Sequence, residues 1–302
     1  MNSLRNLKRK RDAYCKKILS YREITSRVLK VAVEEYSKYS IDVIQSLLDE
    51  VSFNELVDAH SRMIHSLNSE DKDPLEGEVK FDLLFRAKQN KFDHDYSYLM
   101  NIEAQNKKNP GYPLVIRAIY YLSRMISMQK NKYFKNSEYY KILKCYSIWI
   151  IFESPDEYSH INILKSNCKS LSGRPILKKK TYDKQQAVMI YIGENNQDHI
   201  ELIDILKLLF LSNKDYNEVI KELKEKYNIN LTEEFREDYK NMCNLSDRIE
   251  QQGIQIGIKK GKIESAIKLV EKNPDLFTIE QALALFEITK KDYQAYQKNS
   301  MN

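Results

Sequence analysis

Apolar residues recur every three to four positions through the first fifty residues of the chain. Val28, Leu29, Val31 and Ala32, then Ile41, Val43, Ile44, Leu47 and Leu48, predict helix over 13–50. A shorter helix is expected over 52–66, and the polar run "NSEDKDPLEG" over 68–77 predicts a loop. The period then drops to two. In "EVKFDLLFRA", Val79, Phe81, Leu83 and Phe85 alternate with Glu78, Lys80, Asp82, Leu84 and Arg86. In "YSYLMNIEAQ", Tyr98, Met100, Ile102 and Ala104 alternate with Leu99, Asn101, Glu103 and Gln105. Two such strands, joined by the polar run "KQNKFDHDYS", predict an antiparallel hairpin.

After "NPGYP" the period returns to 3.6. Val115, Ala118, Ile119, Leu122, Met125 and Ile126 form one face of the expected helix; Arg117, Tyr120, Tyr121 and Arg124 form another. Pro113 suits its first turn. Further strands are expected at 144–152, 159–166 and 186–193, and helix from about residue 198 onward. Strands alternating with helices predict an α/β core over 1–197 and a helical region over 198–302. Within that region Gly253, Gly257 and Gly261 share one helix face. Either a close helix contact or an exposed low-complexity run explains them.

Composition narrows the class. At 302 residues, 42% hydrophobic and 30% charged, the chain is globular and long enough for a sizeable core. Only 7 Gly and 6 Pro disfavour an all-β architecture. Cys15, Cys145, Cys168 and Cys243 are far apart, which suits reduced thiols in a cytoplasmic protein better than disulfides or zinc. No run approaches the roughly 18 apolar residues of a membrane span, so no membrane partner is expected. No Gly-rich phosphate loop is present, so no nucleotide cofactor is expected either. Residues 1–30 hold ten Lys or Arg against Asp12 and Glu23, a balance of +8 that leaves −2 for the rest of a chain whose net charge is +6. That segment either attracts a nucleic-acid backbone or forms a solvated helix face.

The hairpin carries the candidate chemistry. Asp82 lies in its first strand, and Glu103 and Gln105 share a face of the second. If the strands pair so that these faces coincide, the two carboxylates crowd together, and a divalent cation is one way to compensate them. The other way is a solvated sheet face with Lys80 or Arg86 as partners. Arg117, Tyr120, Tyr121 and Arg124 form a second constellation, read either as a phosphate-facing helix or as a polar face braced on the sheet.

The order of helix, strand with Asp, strand with E-x-Q, helix and strand resembles the PD-(D/E)XK nuclease core. More narrowly, "EGEVKFDLLFRA", "LMNIEAQNKKNPGYPLVIRAIYYLSRMISMQ", "YYKILKCYSIWIIFESP" and "YKNMCNLSDRIEQQGIQIGIKKG" resemble the Rpn family of recombination-promoting nucleases, also described as transposases. The resemblance spans residues 76 to about 261. It implies a mixed central sheet flanked by helices, and a bacterial DNA endonuclease using Mg²⁺ or Mn²⁺. It implies Asp82 and Glu103 as metal ligands, Ala104 lending its backbone carbonyl, and Gln105 at the motif's lysine position. The first-helix acid corresponds to Glu35, with Glu34 as the alternative. Glutamine orients water but supplies no charge, so Lys80 is a candidate relocated cation, and Arg117, Tyr121 and Arg124 are candidate DNA contacts. A nuclease fold that has become a DNA-binding or scaffold protein is the rival expectation, with self-association through the C-terminal helices.

Overall fold

The helical pattern over 13–50 is broken twice. Helix α1 (Asn2–Ser20) ends at Tyr21, whose φ of −64° and ψ of 128° are extended. The freed carbonyl of Leu19 is satisfied by the buried Thr25 hydroxyl at 2.6 Å. Helix α2 (Arg22–Ala32) stops at the extended Val33, a 3₁₀ turn covers Glu34–Tyr36, and Ser40 caps α3 (Ile41–Leu47) by accepting the Val43 N–H. The computed structural model describes residues 2–48, 70–73, 77–174 and 176–300; the helix expected over 52–66 lies outside them.

Part of the expected loop at 68–77 is strand. β1 (Glu70–Asp73) pairs antiparallel with β2 (Gly77–Lys80). The strand expected across "EVKFDLLFRA" is also interrupted: β2 ends at Lys80, Asp82 forms a bend, and β3 runs Leu83–Ala87. The bend changes the phase of the alternation. Phe81, expected to face with Leu83 and Phe85, instead packs edge-on against Tyr121 at 5.1 Å. β4 (Tyr98–Gln105), α4 (Leu114–Ser127), β5 (Lys144–Ile151), β6 (His160–Lys165), α5 (Lys179–Tyr182) and β7 (Gln185–Tyr191) follow. They are succeeded by α6 (Glu201–Phe210), α7 (Tyr216–Tyr227), α8 (Glu233–Lys272), α9 (Ile279–Leu285) and α10 (Lys290–Ser300).

The core is a mixed five-stranded sheet of order β3-β4-β5-β7-β6, flanked by helices. β3 and β4 form the expected antiparallel hairpin, β4, β5 and β7 run parallel, and β6 closes the edge antiparallel to β7. The β4–α4–β5 crossover supplies the helix that a parallel connection requires. Leu84, Leu99, Cys145, Trp149 and Met189 face α4, where Leu114, Ala118, Tyr121, Leu122 and Met125 meet them. Each fully buried Leu or Met there contributes about 1.5–3 kcal/mol, which holds α4 more firmly than intrinsic helix propensity does. The buried stripe is rotated from the expected one: Tyr121 and Arg124 are buried, and Ile119 is 51% exposed. The other sheet face receives α2, where the Gln186 amide donates to the Ala32 carbonyl at 3.2 Å.

The chain forms two compact units, residues 13–240 and residues 1–12 with 241–302, where the sequence pattern placed its division at 197/198. α6 and α7 belong to the sheet unit. In the smaller unit Ile263 and Ala266 of α8 pack with Ala282, Leu283 and Ile288, and Thr278 and Gln281 form a capping box on α9. The middle of α8 is different: Ile254, Ile256 and Ile258 are exposed, and Gly253, Gly257 and Gly261 have open space where a Cβ would stand.

Two alanine substitutions should therefore move stability in opposite directions. At Gly193 a Cβ would lie 2.3 Å from the Tyr158 carbonyl carbon, so Gly193→Ala should cost about 1–3 kcal/mol in urea unfolding. Gly257→Ala meets nothing and should stabilise its helix by roughly 0.5–1 kcal/mol. Equal effects at the two positions would overturn the tight packing of Gly193 on Tyr158.

Candidate active site

The hairpin register decides the site. Leu83 pairs with Ile102, so one step further along the ladder Asp82 stands opposite Glu103. The bend at Asp82 turns its main chain toward the Glu103 side chain. The Asp82 N–H donates to Glu103 Oε1 at 2.9 Å, and the Ala104 N–H donates to Asp82 Oδ2 at 3.1 Å. Each carboxylate thus binds backbone of the other strand, in a reciprocal clasp. Glu103 is 0% exposed, and its second oxygen, Oε2, accepts no hydrogen bond. Burial, reinforced by the negative charge of Asp82, pushes its pKa up to about 8; the Asp82 N–H and the Arg117 and Lys16 cations pull the other way without prevailing.

Two cations approach this pair. Lys16, from α1, places Nζ 2.9 Å from Asp82 Oδ1. Arg117, from the first turns of α4, places Nη2 3.9 Å from Glu103 Oε2. The guanidinium is held in position by the Tyr121 hydroxyl at 2.5 Å and lies 4.9 Å from the Tyr121 ring and 5.3 Å from that of Trp149. Beneath it, Trp149 Nε1 donates to Ser147 Oγ at 2.8 Å, and Asn101 donates to the same hydroxyl at 3.3 Å. Gln105 ends β4 opposite Ile151, and its carbonyl accepts the Phe152 N–H. By alternation its side chain shares the Glu103 side of the strand, and it has no hydrogen-bond partner among the described residues.

Not every expected residue joins this group. Glu35 lies on the opposite sheet face and near the opposite sheet end. It accepts from the Tyr146 hydroxyl at 2.6 Å and from Lys144 Nζ at 3.2 Å, and Lys144 also pairs with Asp183 at 2.9 Å. Lys144 begins β5, five positions before the Trp149 that stands beside Glu103. At about 3.3 Å per residue this separates the two clusters by roughly 16 Å along the strand. The reason is the break at Val33, which carries the "EEY" turn past the start of β5 rather than its end. Burial opposes the Glu35 carboxylate, but the Tyr146 and Lys144 donors outweigh it and hold its pKa below the ordinary range. Glu34, the alternative, is ion-paired with Lys165 at 3.6 Å.

Arg124 is 4% exposed and Tyr121 is also buried, so neither presents a surface to DNA; both point inward because α4 is rotated toward Tyr121. The Lys80 side chain lies outside the described residues. Much of the basic charge in residues 1–30 is turned inward: Lys16 to Asp82, Lys17 to Asp238, Arg27 to Glu23, and Arg22 and Lys30 to the carbonyls of Gln45 and Tyr39. Arg5, Lys8, Arg9 and Lys10 remain exposed. The residue that sequence reasoning missed is Lys16. Its signal was present only as one of several lysines on a basic helix, with nothing local to single it out.

Among the described residues no three His, Cys, Asp or Glu cluster around one point. Two carboxylates nevertheless suit Mg²⁺, which keeps several waters and uses one or two acidic ligands. Once the Glu103 proton is released, its otherwise unpartnered Oε2 is an oxygen that a cation would satisfy. The chain matches no family model, no curated protein and no solved structure.

The Glu103 proton makes stability pH-dependent in EDTA. Between about pH 4.5 and 8 the folded protein retains this proton and the unfolded chain has released it, so stability falls as pH rises. The expected slope is on the order of 1 kcal/mol per pH unit. Glu103→Gln mimics the protonated acid and should flatten it. A wild-type profile already flat across this window would refute the buried, protonated carboxyl.

Proposed function

We propose that the chain is a metal-dependent DNA endonuclease of the PD-(D/E)XK type, hydrolysing phosphodiester bonds. The observation that carries this reading is the reciprocal clasp of Asp82 and Glu103 beside a buried carboxylate oxygen with no donor. The hairpin that delivers both acids, followed by a helical crossover to a parallel strand, is the arrangement the resemblance implies. Asp82, Glu103 and the Ala104 carbonyl would hold Mg²⁺ or Mn²⁺. When bound, such an ion stabilises charge on a phosphodiester in transit and lowers the pKa of water. Gln105, with its amide unengaged, would orient water by hydrogen bonding. Arg117, fixed by Tyr121 and Trp149, would take a phosphate oxygen. Lys16 supplies the positive charge that glutamine at position 105 lacks, a role assigned to Lys80 from the sequence alone. The exposed Arg5, Lys8, Arg9 and Lys10, which belong to the smaller unit, are by themselves a basic segment able to attract a nucleic-acid backbone without reading bases. A bacterial recombination or mobile-element setting, in the cytoplasm, accords with the family resemblance. Self-association would use the exposed isoleucines of α8.

One observation favours a second reading. Lys16 already neutralises Asp82, and Gln105 is uncharged, which suits a nuclease fold that binds DNA without cutting it.

Supercoiled plasmid separates the two. Wild type should nick it with Mg²⁺ or Mn²⁺ and not with EDTA, and Asp82→Ala and Glu103→Ala should each lower the rate by roughly 10²-fold or more. Glu35→Ala, remote from the acid pair, should leave most of the rate intact. Folded protein that retards DNA but never nicks it would establish the binding-module reading instead. Loss of cleavage in Glu35→Ala with the fold intact would return that acid to the catalytic machinery.

A further inference from the structure

The clasp leaves each acid one oxygen. Asp82 Oδ2 takes the Ala104 N–H and Glu103 Oε1 takes the Asp82 N–H, so Asp82 Oδ1 and Glu103 Oε2 are the oxygens left for a divalent ion. A cation of the chain stands at each. Lys16 Nζ lies 2.9 Å from Asp82 Oδ1, and Arg117 Nη2 lies 3.9 Å from Glu103 Oε2. We propose that Lys16 is the residue that sets the metal affinity of this site. Its ammonium occupies Asp82 in the absence of metal, competes with a divalent ion for Oδ1, and leaves when the ion binds. The inference rests on the metal-site reading above and adds to it the identity of the competing group.

The first observation behind it is access. The Glu103 side chain has no exposed surface, whereas that of Asp82 keeps 15% and that of Lys16 keeps 35%. The approach to the pair therefore lies on the Asp82 side, where Lys16 stands.

The second is the difference in how the two cations are held. Arg117 is fixed by the Tyr121 hydroxyl and by the rings of Tyr121 and Trp149, none of which depends on the acids. Lys16 meets Asp82 through a compact ammonium on a flexible four-carbon stem that lets it turn toward solvent. Partly exposed ion pairs of this kind are weak, so the ammonium yields to an ion of twice its charge.

The third is the anchoring of α1. Lys17, the next residue, pairs with Asp238 at 2.9 Å, the Tyr21 hydroxyl donates to the same carboxylate at 2.5 Å, and Ile18 and Leu19 are buried. The helix is thus held independently of Asp82, and the released ammonium stays beside the acids. There it can pair with a phosphate oxygen and supply the charge that Gln105 lacks. The same lysine masks Asp82 before a metal arrives and faces substrate afterwards.

Two measurements on the full chain without DNA test this. In calorimetric titration Mn²⁺ should bind the wild type, and Lys16→Gln should bind it roughly fivefold more tightly or better. Lys107→Gln, which removes an exposed cation just beyond Gln105, should stay within about twofold of wild type, separating competition at Asp82 from a general loss of positive charge. In the wild-type chain, saturating Mn²⁺ should raise acetylation of Lys16, read by peptide mass spectrometry, about threefold or more over EDTA and leave Lys107 unchanged. Equal Mn²⁺ affinity in wild type and Lys16→Gln, or Lys16 acetylation unmoved by bound Mn²⁺, would overturn the proposal and leave the metal site standing. Absence of binding in both proteins would overturn it together with the metal site. Binding by Lys16→Gln alone would uphold Lys16 as the competitor and favour the DNA-binding reading of the wild-type chain.

Discussion

The structure of the sheet unit turns on one buried carboxyl group. Glu103 sits in the second strand of the sheet, between β3 and β5, with no exposed surface. An isolated carboxylate in such a place is costly, so the surrounding chain must either protonate it or bring it donors. The bend at Asp82 is the local answer. It sacrifices two positions of strand regularity and turns a backbone N–H onto Glu103, and Asp82 in turn takes the Ala104 N–H. The clasp joins the strand entering the sheet to the strand beside it, and it holds two acids in one place at once. Moving Glu103 would leave the Asp82 N–H without this acceptor, and moving Asp82 would do the same to the Ala104 N–H.

Positive charge is arranged around that clasp with unequal strength. Lys16 makes a direct ion pair with Asp82, whereas Arg117 stays beyond hydrogen-bonding distance of Glu103 and is fixed instead by Tyr121 and Trp149. The guanidinium is therefore positioned by aromatic packing and a phenol, independently of the acids it faces. The hydrogen bonds joining Asn101, Ser147 and Trp149 continue this rigid support into the core.

The same sheet separates two kinds of charge cluster. Alternation sends Glu103 and Trp149 toward α4, and Lys144 and Tyr146 toward α2. The Glu35–Lys144–Asp183 group ties the α2 turn to the start of β5 and β7, while the acid pair lies at the far end of β4. Because a buried pair loses stability when one partner is removed, the Lys144 group is a structural tie.

The amino-acid sequence by itself made much of the core legible: the β3–β4 hairpin, the helix that follows it, three further strands and the helical tail. It also identified Asp82 and Glu103 as acids able to share one face, because strand period and hairpin order are local properties. Tertiary structure alone decided the rest. The bend at Asp82 placed Phe81 out of phase, and core packing rotated α4 so that Arg124 turned inward. The break after Ala32 carried Glu35 to the other face and end of the sheet, and α1 delivered Lys16 in place of an acid. Periodicity reports which side of an element is apolar. It does not report where the element ends, how far it is rotated against its neighbour, or which distant charge will reach a buried one. Those outcomes depend on packing and desolvation between segments remote in sequence, and no local pattern encodes them.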